Sequence, residues 1–372
     1  MPLSPHASIG IALDEVDTPA LVLDMDALER NLLRMADAVK GSGVRLRPHA
    51  KSHKCAEIAR RQIAAGAVGV CCQKVSEAEA LAQGGVADVL VTNEIVGKQK
   101  LARLARLVRE AKVGVLADDA ANVADLDAAA RAEGVRLDVL VEVNVGADRC
   151  GIEPGEPALA LARRIAALGN LRFAGLHAYH GSAQHLRGAE ERRAAIAAAS
   201  EKAHVTKALI ERAGIACETV TGAGTGTFLL ESSSRVFNEI QPGSYVFMDA
   251  DYNRNVWEEG WPRFEQSLFV LATVMSVPAS NRAVLDAGLK ASSVDSGMPL
   301  VHERPGAEYV KASDEHGILK IAVGAKAPKL GEKLLLVPGH CDPTVNLYDS
   351  FVCVRRGKVE ALWPVSARGA VW

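Results

Sequence analysis

The sequence predicts an α/β protein, a (β/α)8 barrel followed by a mostly β C-terminal domain. Two observations lead to this fold class. Over the first two thirds of the 372 residues, short apolar runs alternate with Ala-, Leu- and Arg-rich segments of helical spacing. From about Gln266 the helical spacing disappears, and strand-like runs joined by turns replace it. Eight βα units in succession predict a parallel barrel, and the change of pattern predicts a second domain.

Each predicted barrel strand is a short and nearly continuous apolar run, as expected of strands that are buried on both faces. The eight runs lie at 20–24, 44–48, 68–72, 88–93, 113–118, 137–145, 172–180 and 218–224. Helix candidates lie between them, and Gly41, Gly84, Gly134 and Gly214 fit C-terminal caps. The predicted domains are 17–260 for the barrel and 261–372 for the β domain, which residues 1–16 are expected to join.

Composition narrows the class of protein. A net charge of −2 and 24% charged residues give no reason to expect nucleic acid or an anionic membrane as a partner. Seven cysteines without a regular spacing predict reduced thiols in a cytoplasmic protein. No apolar run approaches the roughly 18 residues of a membrane span, and the N-terminus lacks the pattern of a secretion signal.

The residues that follow the predicted strands are rich in cations, imidazoles and hydroxyl groups. In a (β/α)8 barrel the carboxyl ends of the strands form the active site. Collected from those ends, the candidates are His49, Lys51, Gln73, Asn144, Arg149, His177, Tyr179, His180, His185 and the loop 221–227. The alternative is a set of solvated surface loops, but random loops are not expected to gather these groups together.

The loop "TGAGTGT" at 221–227 predicts a phosphate site. Gly222, Gly224 and Gly226 permit tight turns that expose N–H groups, and Thr225 adds a hydroxyl donor. Taken alone, the loop is better interpreted as a flexible turn. The segment "QPGSYVF" at 241–247 offers another backbone donor and the hydroxyl of Tyr245.

A phosphate site beside a lysine and an arginine indicates pyridoxal 5′-phosphate (PLP). A lysine forms a Schiff base with the aldehyde of PLP, and its amine must be deprotonated to do so. Lys51 stands in "RPHAKSHK" among other cationic and titratable groups, which are expected to lower its pKa. The neighbouring His49 and His53 are expected only to hold the loop by hydrogen bonds.

The motif "PGHCDPT" at 338–344 predicts a divalent-metal site. On an extended chain His340 and Asp342 point to the same side, and Cys341 points away. One imidazole and one carboxylate leave coordination positions open for water and substrate. Such pairs also arise by chance in turns. Asp314 and His316 in "SDEHG" are either a surface turn or groups that reach a site at a domain or subunit boundary.

These motifs together resemble the metal-dependent, PLP-containing D-threonine aldolases. This alanine-racemase-like group also contains D-3-hydroxyaspartate aldolases and, more distantly, D-serine and D-3-hydroxyaspartate dehydratases. The resemblance extends from Asp17 to "WPVSARG" near the end of the chain. It is carried by "VDTPALVLDMDALERNL", "RPHAKSHKC", "GVCCQKVSEAEAL", "VLVTNE", "AYHGSAQH", "TGAGTGT", "GSYVFMDADY", "LDAGLK", "SDEHG" and "PGHCDPTVN".

The resemblance implies a role for each site residue. Lys51 would be the Schiff-base lysine, Arg149 would sit against the pyridine nitrogen, and Tyr179 and His185 would line the substrate side, with His185 as the base. The expected cofactor-binding set also includes Gln73, Thr221, Gly224, Thr225, Gly226, Gly243, Ser244 and Tyr245. His340 and Asp342 would bind the metal, for which Mn²⁺ is the usual activator and Mg²⁺, Co²⁺ or Zn²⁺ are alternatives.

The implied reaction is cleavage of D-3-hydroxy amino acids, foremost D-threonine, to glycine and acetaldehyde. Alternatives are a D-3-hydroxyaspartate aldolase that releases glyoxylate, a dehydratase or racemase on the same scaffold, and a non-catalytic PLP protein. The dehydratase branch carries His-x-Cys where this chain carries His340 and Asp342, which favours an aldolase. Ala223 stands where relatives often carry Gly, so a negative φ is expected there. A homodimer with a shared active site is also implied.

Overall fold

Two β-sheets organise residues 7–372, the part of the chain that the computed structural model describes. The first sheet is parallel, and its strands are β2 (Arg45–Leu46), β3 (Val70–Cys72), β4 (Asp88–Glu94), β5 (Lys112–Ala117), β6 (Leu137–Glu142), β7 (Leu171–His177), β8 (Thr219–Gly222) and β9 (Glu239–Ile240). The second is mostly antiparallel and contains β1 (Ala20–Asp24), β10 (Leu268–Ala279), β11 (Arg282–Leu285), β12 (Leu300–Val301), β13 (Ala307–Ala312), β14 (Gly317–Ile321), β15 (Lys333–Val337), β16 (Ser350–Arg355) and β17 (Lys358–Pro364).

Helices follow most strands of the first sheet. In chain order the helices are α1 (Met25–Val39), α2 (Ala56–Ala64), α3 (Val75–Gln83), α4 (Lys98–Leu107), α5 (Ala120–Glu133), α6 (Glu156–Ala166), α7 (Ala189–Arg212), α8 (Phe228–Ser233), α9 (Ala250–Asn253) and α10 (Cys341–Val345). Of these, α1 follows β1 and α10 follows β15, which are strands of the second sheet. Short 3-10 helices span Leu13–Glu15, Ala50–Ser52, Ser182–His185 and Ser244–Val246.

Local signals set the ends of the helices. The Asp24 side chain accepts a hydrogen bond from the N–H of Ala27 at 2.9 Å and so starts α1. Gly134 ends α5 in the left-handed conformation, with φ of 64°, as its predicted role as a cap requires.

The parallel sheet is a (β/α)8 barrel, which confirms the predicted fold class. Its strand order is β2-β9-β8-β7-β6-β5-β4-β3, and a parallel bridge between His49 and Cys71 joins the two ends. Successive strands contribute one buried side chain each to an apolar layer inside the barrel, formed by Cys71, Leu90, Leu116, Leu140 and Ala174. Alternate residues on the same strands pack outward against the helices, in a much larger apolar cluster.

The prediction that residues 20–24 form the first barrel strand is wrong. This strand, β1, pairs antiparallel with β10 and parallel with β16 in the second sheet. The eighth barrel strand is instead β9, with only two residues, which the sequence did not predict. β1 is buried along almost its whole length, so its apolar run is indistinguishable from that of a barrel strand.

The second sheet has the order β13-β14-β11-β10-β1-β16-β17, with β15 beside β10 and β12 beside β15. The N-terminal segment joins this sheet through an antiparallel bridge between Ala12 and Lys358. Residues 1–6, which were expected to join it as well, lie outside the described residues. The domain ranges 17–260 and 261–372 therefore stay predictions, and β1 belongs to the sheet of the second one.

Two further features bear on the sequence-based expectations. Within residues 7–372 no helix is both long enough and apolar enough to cross a membrane. All seven cysteines are free thiols, and six of them are buried.

Candidate active site

A cavity of about 310 Å³ opens at the carboxyl ends of the barrel strands, where the sequence places the site. The predicted residues that line it are Lys51, Gln73, Arg149, Tyr179, His185, Gly224, Thr225, Gly243 and Ser244. Thr221, Gly226, Tyr245, His340 and Asp342 are not among the lining residues, although Asp342 contacts Lys51. Seven of these nine residues were chosen by the rule about strand ends, and Gly243 and Ser244 come from the segment 241–247.

Lys51 forms an ion pair with Asp342, which lies 291 residues further along the chain. Burial lowers the pKa of Lys51, but the negative charge of Asp342 and a contribution from Tyr179 outweigh burial and raise it above its usual value. The expectation that neighbouring cations lower this pKa is therefore wrong for the chain by itself. The cations were visible in the local sequence, whereas the carboxylate arrives from the second domain.

His49 is neutral, because burial first and the Lys51 ammonium second lower its pKa well below the usual value. Its Nδ1 accepts a hydrogen bond from the backbone N–H of Lys51 at 3.3 Å. The proton therefore sits on Nε2, 2.9 Å from the hydroxyl oxygen of Thr92. The side chain of Gln73 donates to the same oxygen at 3.1 Å. Both ring nitrogens of His49 thus have partners that hold the loop, as expected.

His53 has the same kind of holding role. Its Nδ1 accepts from the N–H of Cys55 at 3.1 Å, and its Nε2 lies 3.2 Å from Oε1 of Gln62. Burial lowers the pKa of His53 to about 4. It does not line the cavity.

Arg149 lies over the ring of Tyr179, with 5.9 Å between its guanidinium carbon and the ring centre. A guanidinium nitrogen of Arg149 is 3.7 Å from Oε1 of Glu142, and Nδ1 of His177 is equally far from the same oxygen. Glu142 lies beside Glu94, whose pKa rises to about 8 through burial and the neighbouring carboxylate. Burial raises the pKa of Glu142, but His177, Glu94 and Arg149 together lower it to about 2.

His185 stands at the end of the 3-10 helix Ser182–His185 and reaches the cavity. Its Nδ1 lies 2.5 Å from Oδ2 of Asp251, at the start of α9. The imidazole is therefore half exposed toward the cavity and anchored on its other side.

The predicted phosphate loop presents unpaired backbone donors to the cavity. The N–H groups of Gly224, Thr225, Gly243 and Ser244 donate no hydrogen bond to any residue in the range 7–372. A Cβ added to Gly224 would lie 2.5 Å from the side chain of Gln184, so a larger residue there would require Gln184 to move. Four free donors on one rim fit a phosphate group.

Three predicted phosphate ligands do not reach the cavity. Thr221 accepts a hydrogen bond from Gln241 at 2.8 Å, and the N–H of Gly226 donates to Gln184 at 3.0 Å. The hydroxyl of Tyr245 accepts from Gln62 at 3.1 Å, and its ring packs on Phe264. Because the buried Tyr245 hydroxyl is bound by Gln62 and does not line the cavity, its use for phosphate has no support here and stays a prediction.

Ala223 has a φ of 68°, so the expectation of a negative φ is also wrong. The left-handed conformation costs an L-residue roughly 1–2 kcal/mol. Ala223 nevertheless lines the cavity next to Gly224. The turn that presents the backbone donors is thus strained at this residue.

An extended chain was predicted for His340 and Asp342, and this prediction is wrong. His340 caps the short helix α10, and Asp342 is in its first turn next to the buried Cys341. Nδ1 of His340 is 2.8 Å from Oδ2 of Asp295. Among residues 7–372 no group of three or more His, Cys, Asp or Glu side chains is arranged to hold a metal ion. An imidazole and a carboxylate still fit a divalent ion with open positions, so the two ligands stay predictions.

The sequence missed several lining residues. Thr92 lies within β4 near its carboxyl end, and Gln241 directly follows β9, so the rule of strand ends would have found Thr92 and, with β9 recognised, Gln241. Tyr252 lies on α9 and carries no such signal. His177, one of the candidates at the strand ends, lines the cavity and has no hydrogen-bond partner for its Nδ1 among the described residues.

Two protein-family models match the chain. The model of the alanine racemase N-terminal domain matches residues 23–251, and that of a putative serine dehydratase domain matches residues 267–354. The two ranges correspond to the barrel and to most of the second sheet.

Proteins of known activity are similar over the full length. A D-threonine aldolase of Arthrobacter sp. is 49% identical, over 99% of this chain and 97% of the relative. A 3-hydroxy-D-aspartate aldolase of Paracoccus denitrificans (strain Pd 1222) is also 49% identical, over 97% of this chain and 94% of the relative. The crystal structure of D-threonine aldolase from Filomicrobium marinum superposes with a TM-score of 0.97 at 52% identity, and the match covers 100% of both chains.

Proposed function

The chain belongs to the family of the D-threonine aldolases and 3-hydroxy-D-aspartate aldolases, with an alanine racemase N-terminal domain, and we propose that it cleaves D-3-hydroxy amino acids by a retro-aldol reaction. It is accordingly a carbon–carbon lyase. The observation that supports this most strongly is the meeting of Lys51 with the four free backbone donors around one cavity. A lysine and a phosphate cradle are what a PLP enzyme requires.

PLP supplies an electron sink for the pair of electrons left on Cα when the Cα–Cβ bond breaks. Lys51 would hold the cofactor covalently, and Gly224, Thr225, Gly243 and Ser244 would hold its phosphate. Arg149 is proposed to contact the pyridine ring. The assignment of Gln73 and Tyr179 to the cofactor side rests on their place in the cavity wall.

His185 is the proposed general base. Its imidazole reaches the cavity, and Nε2 is free because Nδ1 is turned toward Asp251. Nε2 would take the proton of the β-hydroxyl as the aldehyde forms. Tyr179, on the other wall, would limit how the substrate lies between the two side chains.

D-Threonine is the proposed preferred substrate over D-3-hydroxyaspartate. A β-carboxylate requires a cation, and Lys51 would be taken up by the cofactor. The other permanent cation of the cavity wall, Arg149, has an acidic neighbour, since it lies 3.7 Å from Glu142. The wall therefore suits the methyl group of threonine better than a second carboxylate.

The experiment is a product assay on purified holoenzyme with D-threonine, D-phenylserine and D-3-hydroxyaspartate. Acetaldehyde as the main product is expected, glyoxylate would favour the hydroxyaspartate reading, and ammonia would overturn the aldolase assignment. Lys51→Ala is the control. It should lose both activity and the visible absorbance of the cofactor, and borohydride should label only the unmodified protein.

A divalent metal at His340 and Asp342 is also proposed, with Mn²⁺ the first choice. The ion would supply a Lewis acid that lowers the pKa of a bound hydroxyl. Chelation should abolish activity, and Mn²⁺ should restore it better than Mg²⁺, Co²⁺ or Zn²⁺. Full activity after exhaustive chelation would rule this site out.

We further propose a homodimer in which the partner completes the site, in a cytoplasmic enzyme. Asp314 and His316 are exposed at the turn after β13 and do not line the cavity of their own chain. Nearby strands and loops of the second sheet expose apolar side chains at Leu289, Met298, Leu300 and Val310. Light scattering should give the mass of two chains. Mixing inactive Lys51→Ala with inactive Asp314→Ala should restore part of the activity, and a strict monomer would exclude the shared site.

A further inference from the structure

Asp251 is bound to His185 on the side of the imidazole that faces away from the cavity. Its Oδ2 lies 2.5 Å from Nδ1, and its side chain is 6% exposed, against 48% for that of His185. A carboxylate at this distance accepts a hydrogen bond from the N–H of Nδ1 and so keeps the proton of the neutral ring on Nδ1. The nitrogen left free to act in the cavity is Nε2.

Asp251 is held as a carboxylate by two arginines. Its Oδ1 accepts from Arg187 and from Arg254, each at 2.5 Å, so both oxygens have partners. Burial raises the pKa of Asp251, but hydrogen bonds from Arg187, His185 and Arg254 outweigh burial and lower it. The carboxylate therefore keeps its negative charge beside the imidazole.

The segment that carries His185 is fastened to the same helix. Arg187 also donates to the backbone carbonyl of Asp251 and to Oδ1 of Asn255, both at 2.7 Å. Asn255 in turn donates to the carbonyl of Gln184 at 2.9 Å. These bonds fix the backbone on both sides of His185, so the ring can turn only about its own side-chain torsions.

Arg254 links this arrangement to the loop behind the predicted metal ligand. It donates to the carbonyl of Ser296 at 2.7 Å, and the neighbouring Asp295 binds His340. His185 and the predicted metal ligand His340 are thus each held by a carboxylate, and Arg254 links the two sets.

We propose that Asp251 is a positioning residue for the cleavage step, acting through His185. It would hold Nε2 toward the β-hydroxyl and stabilise the imidazolium that forms. In that step the hydroxyl proton moves to Nε2, the O–H electron pair forms the carbonyl bond, and the electron pair of the Cα–Cβ bond stays on Cα. The inference rests on the proposed function, in which His185 is the base.

The test is a double-mutant cycle with Asp251→Asn and His185→Gln, measured on PLP-loaded protein at saturating Mn²⁺. Asp251→Asn should lower kcat about 10- to 100-fold, with the Kd for PLP unchanged by fluorescence titration. In the His185→Gln background the same change should lower kcat less than about twofold, because its target is absent.

Asp138→Asn is a matched control, since Asp138 also binds an arginine through both oxygens, at 2.7 and 2.6 Å, but at the other end of the barrel. It should leave kcat unchanged. If Asp251→Asn does not bind PLP, Asp251→Glu takes its place in the cycle. It keeps the charge and displaces the oxygens, so it should also lower kcat only when His185 is present.

The outcomes separate the two hypotheses. An equal loss of kcat in both backgrounds, or no loss in either, would overturn the role of Asp251. A His185→Gln enzyme with nearly full kcat would instead overturn the proposed base, whatever Asp251→Asn does.

Discussion

The two ends of the barrel have cavities of similar volume, but they differ in whether the polar groups around the cavity have partners. Each has a polar cavity, of about 310 Å³ at the carboxyl end and about 330 Å³ at the amino end. The apolar layer inside the barrel lies between them. At the amino end every charged lining side chain has an opposite partner. These are Arg45, Arg47, Asp88, Lys112, Asp138, Arg172, Glu218 and Glu239.

The carboxyl end leaves groups without partners. Four backbone N–H groups, Nδ1 of His177 and Oε1 of Glu94 have no hydrogen-bond partner among the described residues. A buried polar group without a hydrogen-bond partner lowers the stability of the fold. Such groups are therefore expected where a bound ligand supplies the missing hydrogen bonds. The comparison teaches that cavity size does not identify an active site, and that the pairing of the polar groups is what separates these two cavities.

The largest effect is expected from breaking the amino end. Arg47 is buried and binds Glu239 at 3.0 Å and Asp88 at 2.6 Å. Arg47→Ala would leave Glu239 buried without its closest partner and should lower the free energy of unfolding by about 3–5 kcal/mol. Arg45 binds the same Glu239 but is 43% exposed, so Arg45→Ala should cost less than about 1 kcal/mol. Denaturant unfolding measures both, and a changed kcat per folded site would contradict the separation of the two ends.

At the carboxyl end, Asp342→Ala should remove metal activation and keep the visible absorbance of bound PLP. The expected loss of kcat at saturating Mn²⁺ is about 10- to 100-fold. Asp349→Asn, at an exposed residue in the same domain, is the control and should be neutral. Near-normal activity that is insensitive to chelators would show that the metal role assigned to Asp342 is wrong.

A smaller effect is expected at the strained turn. Ala223→Gly removes the strain of a φ of 68°, which stabilises the folded chain. It also gives the unfolded chain the larger backbone entropy of glycine, which destabilises the fold. Because the first effect is the larger, the free energy of unfolding should rise by about 0.5–1 kcal/mol. Ala178→Gly, nearby but without a positive φ, should be destabilising. Thermal unfolding of both variants measures these changes in stability. A destabilised Ala223→Gly variant would show that the backbone at residue 223 is not strained.

The last prediction concerns pH and Glu94, whose pKa of about 8 in the fold lies above the ordinary value of 4.5. The folded chain therefore holds a proton that the unfolded chain releases, so Glu94 costs stability progressively as pH rises from about 4.5 to 8. Glu94→Gln removes that cost. Its Tm relative to the natural chain should increase between pH 5 and pH 8.5, and Glu110→Gln, at an exposed residue, should show no such trend. A Tm difference that does not vary with pH would contradict the raised pKa.

Local patterns in the sequence were enough to predict the fold class and the position of the cavity. Periodicity and strand ends depend on neighbouring residues, so Lys51, Gln73, Arg149, Tyr179 and His185 could be placed together before any coordinates were known. The errors in the fold came from strands. β1 resembles a barrel strand because both kinds are buried, and β9 is too short to show a pattern.

The chemistry of the site depends on contacts that the sequence does not encode locally. Asp342 reaches Lys51 across 291 residues and reverses the expected direction of the lysine pKa. Asp251 reaches His185 across 66 residues. The left-handed φ of Ala223 is imposed by the turn around it, against the preference of the residue itself. Such pairings and strains are set by tertiary packing, which periodicity does not report.

The position of β1 between β10 and β16 has a consequence for how the chain assembles. A central strand of the second sheet is synthesised first, and its neighbours follow more than 240 residues later. A fragment that starts at residue 261 would lack this strand and expose the edges of β10 and β16 to other chains. Ribosomal synthesis therefore completes the barrel helices before the sheet that carries His340 can close, and early release of the chain would favour aggregation over a half-finished fold.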